Sequence, residues 1–337
     1  MSDLNLSKQY LDDALLQLCG DEGLEGLKQY TYWPAEIYGM GKHIREYGFY
    51  PSNWPIHIMT DHSPTLRNWI SFDNQFDAPV QFYHSPELVK EWKKQYKKPC
   101  YVIFSPFAFY RKKNRIKQST TAVGTLVFPT HNSHHLKDKS DIESYIQQLL
   151  SLPDEFQPIS ACLYFLDILD GKHKLFQKYN IPVYTAGNWL DPKFTERFYN
   201  IIKNFKYTTS NLPGSYLFYS VEMGIPFFLY GNKPQFENES DSSIELGSYD
   251  AFWQWPRVKE AVELFQGVHI EVTPAQRDWV ETGLGIRDGI SRFKMARILY
   301  STWYKYEYKA SKKNNMMPSL LVRIKKKVKR LMKSITE

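Results

Sequence analysis

Cysteine is scarce in this chain, long apolar runs are missing, and acid is almost absent from its last segment. Cys19, Cys100 and Cys162 are the three cysteines in 337 residues, scattered without metal-ligand or redox spacing. That excludes a secreted disulfide framework and fits a reducing cytosol. No apolar run approaches the ~20 residues that span a bilayer, and the opening MSDLNLSKQYLDD is no secretory signal. The expectation is a protein made and kept in the cytoplasm. A recognised phosphate loop is lacking too: Gly39-Met40-Gly41-Lys42 opens a basic segment running to Arg45, a second candidate anion site with unfamiliar spacing. Zinc partners are also poor. His131, His134 and His135 fall within five residues, but no cysteine or carboxylate stands at a suitable distance. No bound metal is expected.

The shortage of acid places the charge. The chain carries +7 overall, yet residues from Ser311 onward hold nine Lys and Arg against Glu337 alone. That segment is +8, which leaves the first 310 residues at −1. From Pro318, apolar residues recur at Leu320, Leu321, Ile324, Val328, Leu331, Met332 and Ile335, with Lys and Arg filling most other positions. This is the pattern of a basic amphipathic helix lying on an anionic membrane surface through residues 318–335. An RNA-binding arm or a coiled-coil partner would also be basic or striped. The sustained apolar stripe argues against a purely electrostatic nucleic-acid arm, and no nucleic-acid partner is expected.

What is present is core material, at 42% hydrophobic and 16% aromatic, enough for about two domains. Strand-like segments alternate with helical ones: Ile56–Thr60, Val80–His84, Ser85–Tyr96 (helical), Tyr101–Phe104, then Val123–Pro129, Asp141–Leu150 (helical), Ile159–Phe165, Val183–Thr185 and Lys193–Lys203 (helical). Ser105–Tyr110 reads as a loop and Arg111–Thr121 as a polar linker between two doubly wound α/β domains. The boundaries expected are 1–115 for the first domain and 120–275 for the second. Helices in 276–310 would pack back on the first domain, and 311–337 is the basic tail. Asp167 and Asp170 precede Lys172–Tyr179 and read as caps of that helix.

The densest chemistry lies in Phe205–Gly231, FKYTTSNLPGSYLFYSVEMGIPFFLYG. An aromatic and β-branched strand runs into Ser210-Asn211-Leu212-Pro213-Gly214-Ser215, then a two-turn helix from Tyr216 to Met223, stopped by Gly224. Ile225–Tyr230 is apolar enough for a strand buried on both faces. A strand feeding a helix N-terminus presents free N–H groups and a positive dipole end to phosphate. Gly214 lets the anion approach, and Ser210 and Ser215 supply hydroxyls. Any doubly wound domain contains such crossovers, so structure alone also accounts for the stretch. Two other strand ends carry polar groups. Asp61 and His62 follow Ile56–Thr60, where open α/β sheets place ligands; His62 is either a base held by Asp61 or a cap on the next turn. Thr130 and His131 follow Val123–Pro129, as donors facing a cleft or as a solvated loop.

The order of these elements resembles the GT-B glycosyltransferases that build bacterial capsule, lipopolysaccharide or teichoic-acid polymers. The matching pieces are Thr60-Asp61-His62-Ser63, Ser105-Pro106-Phe107-Ala108-Phe109-Tyr110, Phe128-Pro129-Thr130-His131, and Ser210 through Gly224-Ile225-Pro226. The resemblance spans most of residues 40–231. It implies two Rossmann-like domains facing a cleft, an acceptor on the first and a nucleotide-activated sugar on the second. Asp61 and His62 would activate the acceptor, and His131 would assist the leaving group. Thr130, His134, Ser210, Asn211, Gly214, Ser215 and Tyr219 would bind the donor. The family generally needs no metal or further cofactor, and the acceptor would be a glycan or lipid-linked, at the cytoplasmic face of the inner membrane. Relatives carry a ribose-holding acid where this chain has Tyr219, and glycine where it has Ser63. A sugar-nucleotide epimerase, a polyol-phosphate transferase and a membrane-surface scaffold are the alternatives.

Overall fold

Serine followed by proline sets two of the helices that organise the first half. The structure is a computed structural model that describes residues 12–20, 35–61, 64, 66, 70, 73–74, 77–132, 136–238 and 249–308. A helix over residues 12–19 (α1) and Met40–Tyr47 (α2) precede strand β1 (Met59–Thr60). β2 (Gln81–Tyr83) leads into α3 (Pro86–Gln95), where Ser85 Oγ accepts from Leu88 N–H and proline takes the first turn. α3 buries Leu88, Val89 and Trp92 and returns to β3 (Cys100–Val102). The three strands form one parallel sheet in the order β1-β2-β3.

Ser105-Pro106 repeats the signal of Ser85-Pro86. Ser105 Oγ accepts from Ala108 N–H, and residues expected as a loop form α4 (Pro106–Lys113). Arg111, expected in the linker, therefore belongs to a helix. The stretch after it is fixed rather than free: Gln118 Nε2 donates to Phe205 O at 2.7 Å and Ser119 N to Lys203 O at 2.8 Å.

The second half follows β4 (Thr125–Val127), β5 (Leu136–Asp138), α5 (Ile142–Leu150, capped by Asp141) and β6 (Ile159–Cys162). Then come α6 (Phe165–Leu169), α7 (His173–Lys178), β7 (Val183–Tyr184), α8 (Phe194–Ile202), β8 (Tyr207–Ser210), α9 (Ser215–Met223) and β9 (Phe227–Leu229). β10 (Phe236–Asn238) pairs antiparallel with β5. Five strands make a parallel sheet in the order β7-β6-β4-β8-β9. The chain starts at the centre, winds outward through β6 and β7, then returns to β8 and β9. Connections leave β4 and β8 in opposite directions, which opens a crevice beyond their C-terminal ends. The molecule is thus α/β, with Rossmann-like parallel sheets in both halves.

Asp167 and Asp170 do not cap α7. Asp167 lies inside α6 and Asp170 closes it, and no side chain caps the start of α7. The reason is an unexpected short helix: Ile159–Phe165 is strand only to Cys162, and Phe165 is already helical.

After α10 (Tyr249–Gln254), α11 (Pro256–Phe265) and α12 (Pro274–Gly283), α13 (Arg292–Trp303) lies on α2. Its return is tight. Gly285 sits at φ +61°, and a Cβ there would come 2.2 Å from Ile103 O. Arg292 donates to Tyr47 O and Glu46 O, and Trp303 stacks on Trp54 with centroids 4.2 Å apart. One apolar core runs through both halves, from Ile44 and Phe107 to Phe198, Tyr219 and Leu299.

Candidate functional site

Beyond the C-terminal ends of β4, β6 and β8 lies a cavity of ≈ 350 Å³. Phe128 to His131 wall it from β4, Cys162 to Tyr164 from β6, and Leu212 to Tyr216 from the β8–α9 turn. Tyr38 and Phe107 reach it from the first half. It therefore occupies the switch point of the five-stranded sheet, where open α/β sheets bind ligands.

The polar residues around it divide into two groups. Asn211, Thr130 and Ser210 are buried and bonded within the fold. Asn211 Oδ1 accepts from Thr130 N at 3.1 Å and Thr130 Oγ1 at 2.8 Å, and its Nδ2 donates to Asn232 O at 3.2 Å. Asn211 thus fastens the ends of β4 and β8 to each other. Ser210 Oγ accepts from Leu212 N at 3.1 Å and lies 2.8 Å from the Tyr216 hydroxyl, which donates to Leu212 O at 2.6 Å. Gly214 and Ser215 form the second group. Gly214 begins α9 with no side-chain cap, and both residues line the cavity. The positive end of a nine-residue helix thus adjoins the open space. Glycine is required there, because a Cβ at 214 would meet the Tyr216 ring at 2.7 Å.

His131 lines the same cavity. Its Nδ1 lies 2.7 Å from Asn132 O, so a neutral ring carries its proton there and keeps the lone pair on Nε2. The ring rests on Tyr164, centroids 4.5 Å apart. Behind it is a buried group that the sequence reading missed. Lys172 Nζ donates to Thr130 O at 2.6 Å and Asp138 Oδ2 at 2.9 Å, and stands 3.6 Å from Asp167 Oδ1. Asp167 also accepts Asn132 N–H at 3.1 Å. Burial pushes its carboxyl pKa above the usual range, against the pull of Lys172 and His131. Only the folded chain reveals this set, because Thr130 and Asn132 follow β4, Asp138 ends β5, Asp167 lies in α6 and Lys172 precedes α7.

Tyr219 lines the cavity and is also part of the seam between the halves. Its ring stacks on Phe107 at 4.4 Å and 9°. Three residues on, Glu222 takes two bonds of 2.5 Å from Arg111 of α4. The acid of α9 is therefore used to join α4 to α9. Tyr38 was also missed. It holds φ +56°, its N–H donates to Trp189 O, and its carbonyl accepts from Thr195 at 2.6 Å. These bonds fix a residue of the first half against the second. The glycines at 39 and 41 hinted at an unusual turn but not at its partner.

Asp61 follows β1 and is not among the residues lining the cavity. His62 and His134 lie outside the described residues, as do Ser63 and His135. The Gly39 turn starts α2, but Gly39 packs against Pro192 and Arg45 pairs with Glu36, so the Arg45 cation is used internally, while Lys42 is exposed. Among the described residues, no group of three or more His, Cys, Asp and Glu is placed to hold a metal.

Fold and cavity together define a Rossmann-like α/β protein with a ligand-sized space at its switch point. No protein-family model matches the chain, and no curated protein matches it. Among solved structures it is similar to a UDP-GlcNAc 2-epimerase from Neisseria meningitidis bound to UDP-GlcNAc. The likeness has a TM-score of 0.36 at 11% identity, covering 73% of this chain and 70% of that one. At that distance, the site itself has to carry any functional reading.

Proposed function

We propose that this chain is a glycosyltransferase of the GT-B type, moving a sugar from a nucleotide-activated donor to a glycan or lipid-linked acceptor in cell-surface polysaccharide synthesis. The observation that supports it most is a convergence. The uncapped N-terminus of α9 at Gly214 and Ser215, and a His131 ring fastened through Nδ1 to Asn132 O, meet at one switch-point cavity. In this reading the donor phosphate lies on the α9 N-terminus, and a protonated His131 stabilises the charge that builds on it as the sugar C1–O bond breaks. The acceptor oxygen forms the new bond to C1 and gives its proton to His62, oriented by Asp61. The sugar passes through an oxocarbenium-like state. A bound metal has no role in this scheme, and the basic segment 318–335 holds the enzyme to the cytoplasmic face of the inner membrane.

The test is a thermal-shift screen of the full chain against UDP-, GDP-, CMP-, CDP- and TDP-linked sugars, repeated on Ser215→Ala and His131→Ala. One nucleotide class is expected to stabilise the protein saturably, with the shift reduced in Ser215→Ala. Sugar transfer should fall about 100-fold or more in His131→Ala, the usual worth of a general acid. No saturable shift with any donor would overturn the reading. Epimerised donor without transfer would redirect it to an epimerase.

A further inference from the structure

The outer face of α13 and of the turn that follows it, Tyr304–Tyr308, is both aromatic and basic, and nothing in the reading above uses it. Phe293, Lys294, Arg297, Ser301, Tyr304 and Lys305 are exposed and recur at the spacing of one helix side. Phe293 is 61% exposed and Tyr304 40%. Beside them Phe49, from the turn after α2, is 47% exposed, its ring centroid 5.8 Å from that of Phe293. Large apolar groups grouped in this way mark a surface that meets something other than water. No Asp or Glu occurs between Asp288 and Glu307, while Arg292, Lys294, Arg297 and Lys305 do.

The geometry points to this face as a second membrane-contact surface, one that rests on anionic phospholipid, with Phe49, Phe293 and Tyr304 at the interface and Lys294, Arg297 and Lys305 on the headgroups. Two features select lipid. Cations with no acid among them complement an anionic bilayer, while the same face on a second copy would set cations against cations. Aromatic rings beside Lys and Arg are also the side chains suited to the boundary between headgroups and acyl chains. In the chain, the face immediately precedes a segment of charge +8. The inference is independent of the catalytic proposal, since it concerns binding alone.

It is tested by co-sedimentation of the full chain with vesicles of phosphatidylglycerol and phosphatidylcholine, against vesicles of phosphatidylcholine alone. The triple variant Phe293→Ser/Lys294→Glu/Arg297→Glu is compared with the native chain and with Val268→Ser/Ile270→Ser. The control removes two apolar side chains, 44% and 62% exposed, from the segment between α11 and α12. Partitioning onto the mixed vesicles should fall by about tenfold or more in the triple variant, since each cation near an anionic surface contributes several-fold. It should not change in the control. Circular dichroism melts establish that both variants fold. Phe49→Asn is an independent arm, because asparagine tolerates the φ of +49° at that position, and it should reduce partitioning without changing charge. Unchanged partitioning of the triple variant, an equal loss in the control, or equal binding of the native chain to both vesicle types would each overturn the inference. So would a native dimer that the triple variant converts to monomer.

Discussion

Arg111→Ala is expected to be a severe single substitution at the seam between the two halves. The Glu222 side chain is 3% exposed and that of Arg111 15%, and they share two bonds of 2.5 Å. Removing the guanidinium leaves a buried carboxylate without its main counter-charge, which costs about 3–5 kcal/mol. Lys112 stands 3.9 Å from the same carboxylate, on a half-exposed side chain, and can swing closer. The expected loss is therefore near the lower bound, about 3 kcal/mol. Replacing both partners, Arg111→Met/Glu222→Met, removes the ion pair and its desolvation penalty together, and should cost only about 1 kcal/mol or less. In a double-mutant cycle with Arg111→Met and Glu222→Met as the single variants, the two losses should therefore exceed that of the double variant by about 2 kcal/mol or more. Urea unfolding reads this as a fall in midpoint for Arg111→Ala with an unchanged slope, and a near-native midpoint for the double variant. If Arg111→Ala cost under about 1 kcal/mol, or the two single losses simply added, the pair would be behaving as a solvent-screened one. The seam would then rest on its apolar contacts, such as the Phe107–Tyr219 stack, and on the backbone bonds of Tyr38.

Two further outcomes follow from buried polar groups. Burial lowers the His43 pKa from 6.5 to about 4, with Glu46 at 3.9 Å pulling the other way. The folded state therefore resists a proton that the unfolded chain accepts. The stability that His43 contributes is expected in full above pH 6.5 and to be lost as pH falls through about 4; the loss is roughly 3 kcal/mol, and urea titrations of His43→Gln should show it reduced. Asn211→Ala leaves Thr130 N–H and its hydroxyl without their acceptor. It should cost roughly 1–3 kcal/mol by thermal or urea unfolding, and a variant as stable as the native chain would mean that water replaces the amide.

The sequence carried the fold further than the site. Alternating strands and helices were legible because β-branched and aromatic runs ended on glycine, proline or a cap, as at Ser85-Pro86 and Gly224. The same signal at Ser105-Pro106 is harder to read as a helix start, since Phe107, Ala108, Phe109 and Tyr110 show no clear helical periodicity. α4 is apolar where it meets α8 and α9, and polar only from Arg111. The first sheet also differs from the second in a way composition does not report. Its strands run β1-β2-β3 without reversal, so among the described residues only the five-stranded sheet has a switch point. Pairing order depends on which strands meet, and local sequence does not encode that.

Ser210 through Ser215 shows why ligand and scaffold roles are hard to separate from residue type. Serine, asparagine and glycine suit both, because a hydroxyl or amide that can hold phosphate can equally satisfy a strand end. Burial and partners separate them here. Asn211 spends its side-chain oxygen on Thr130, and Ser210 spends its hydroxyl on Leu212 and Tyr216. The first two residues of the turn therefore shape the crevice, and the last two, Gly214 and Ser215, border the open space. That division also accounts for Tyr219. An acid there would have to sit against the face of Phe107, 4.4 Å away by ring centroid, in a seam already supplied with charge by Arg111 and Glu222. An aromatic ring closes that seam without a further buried charge.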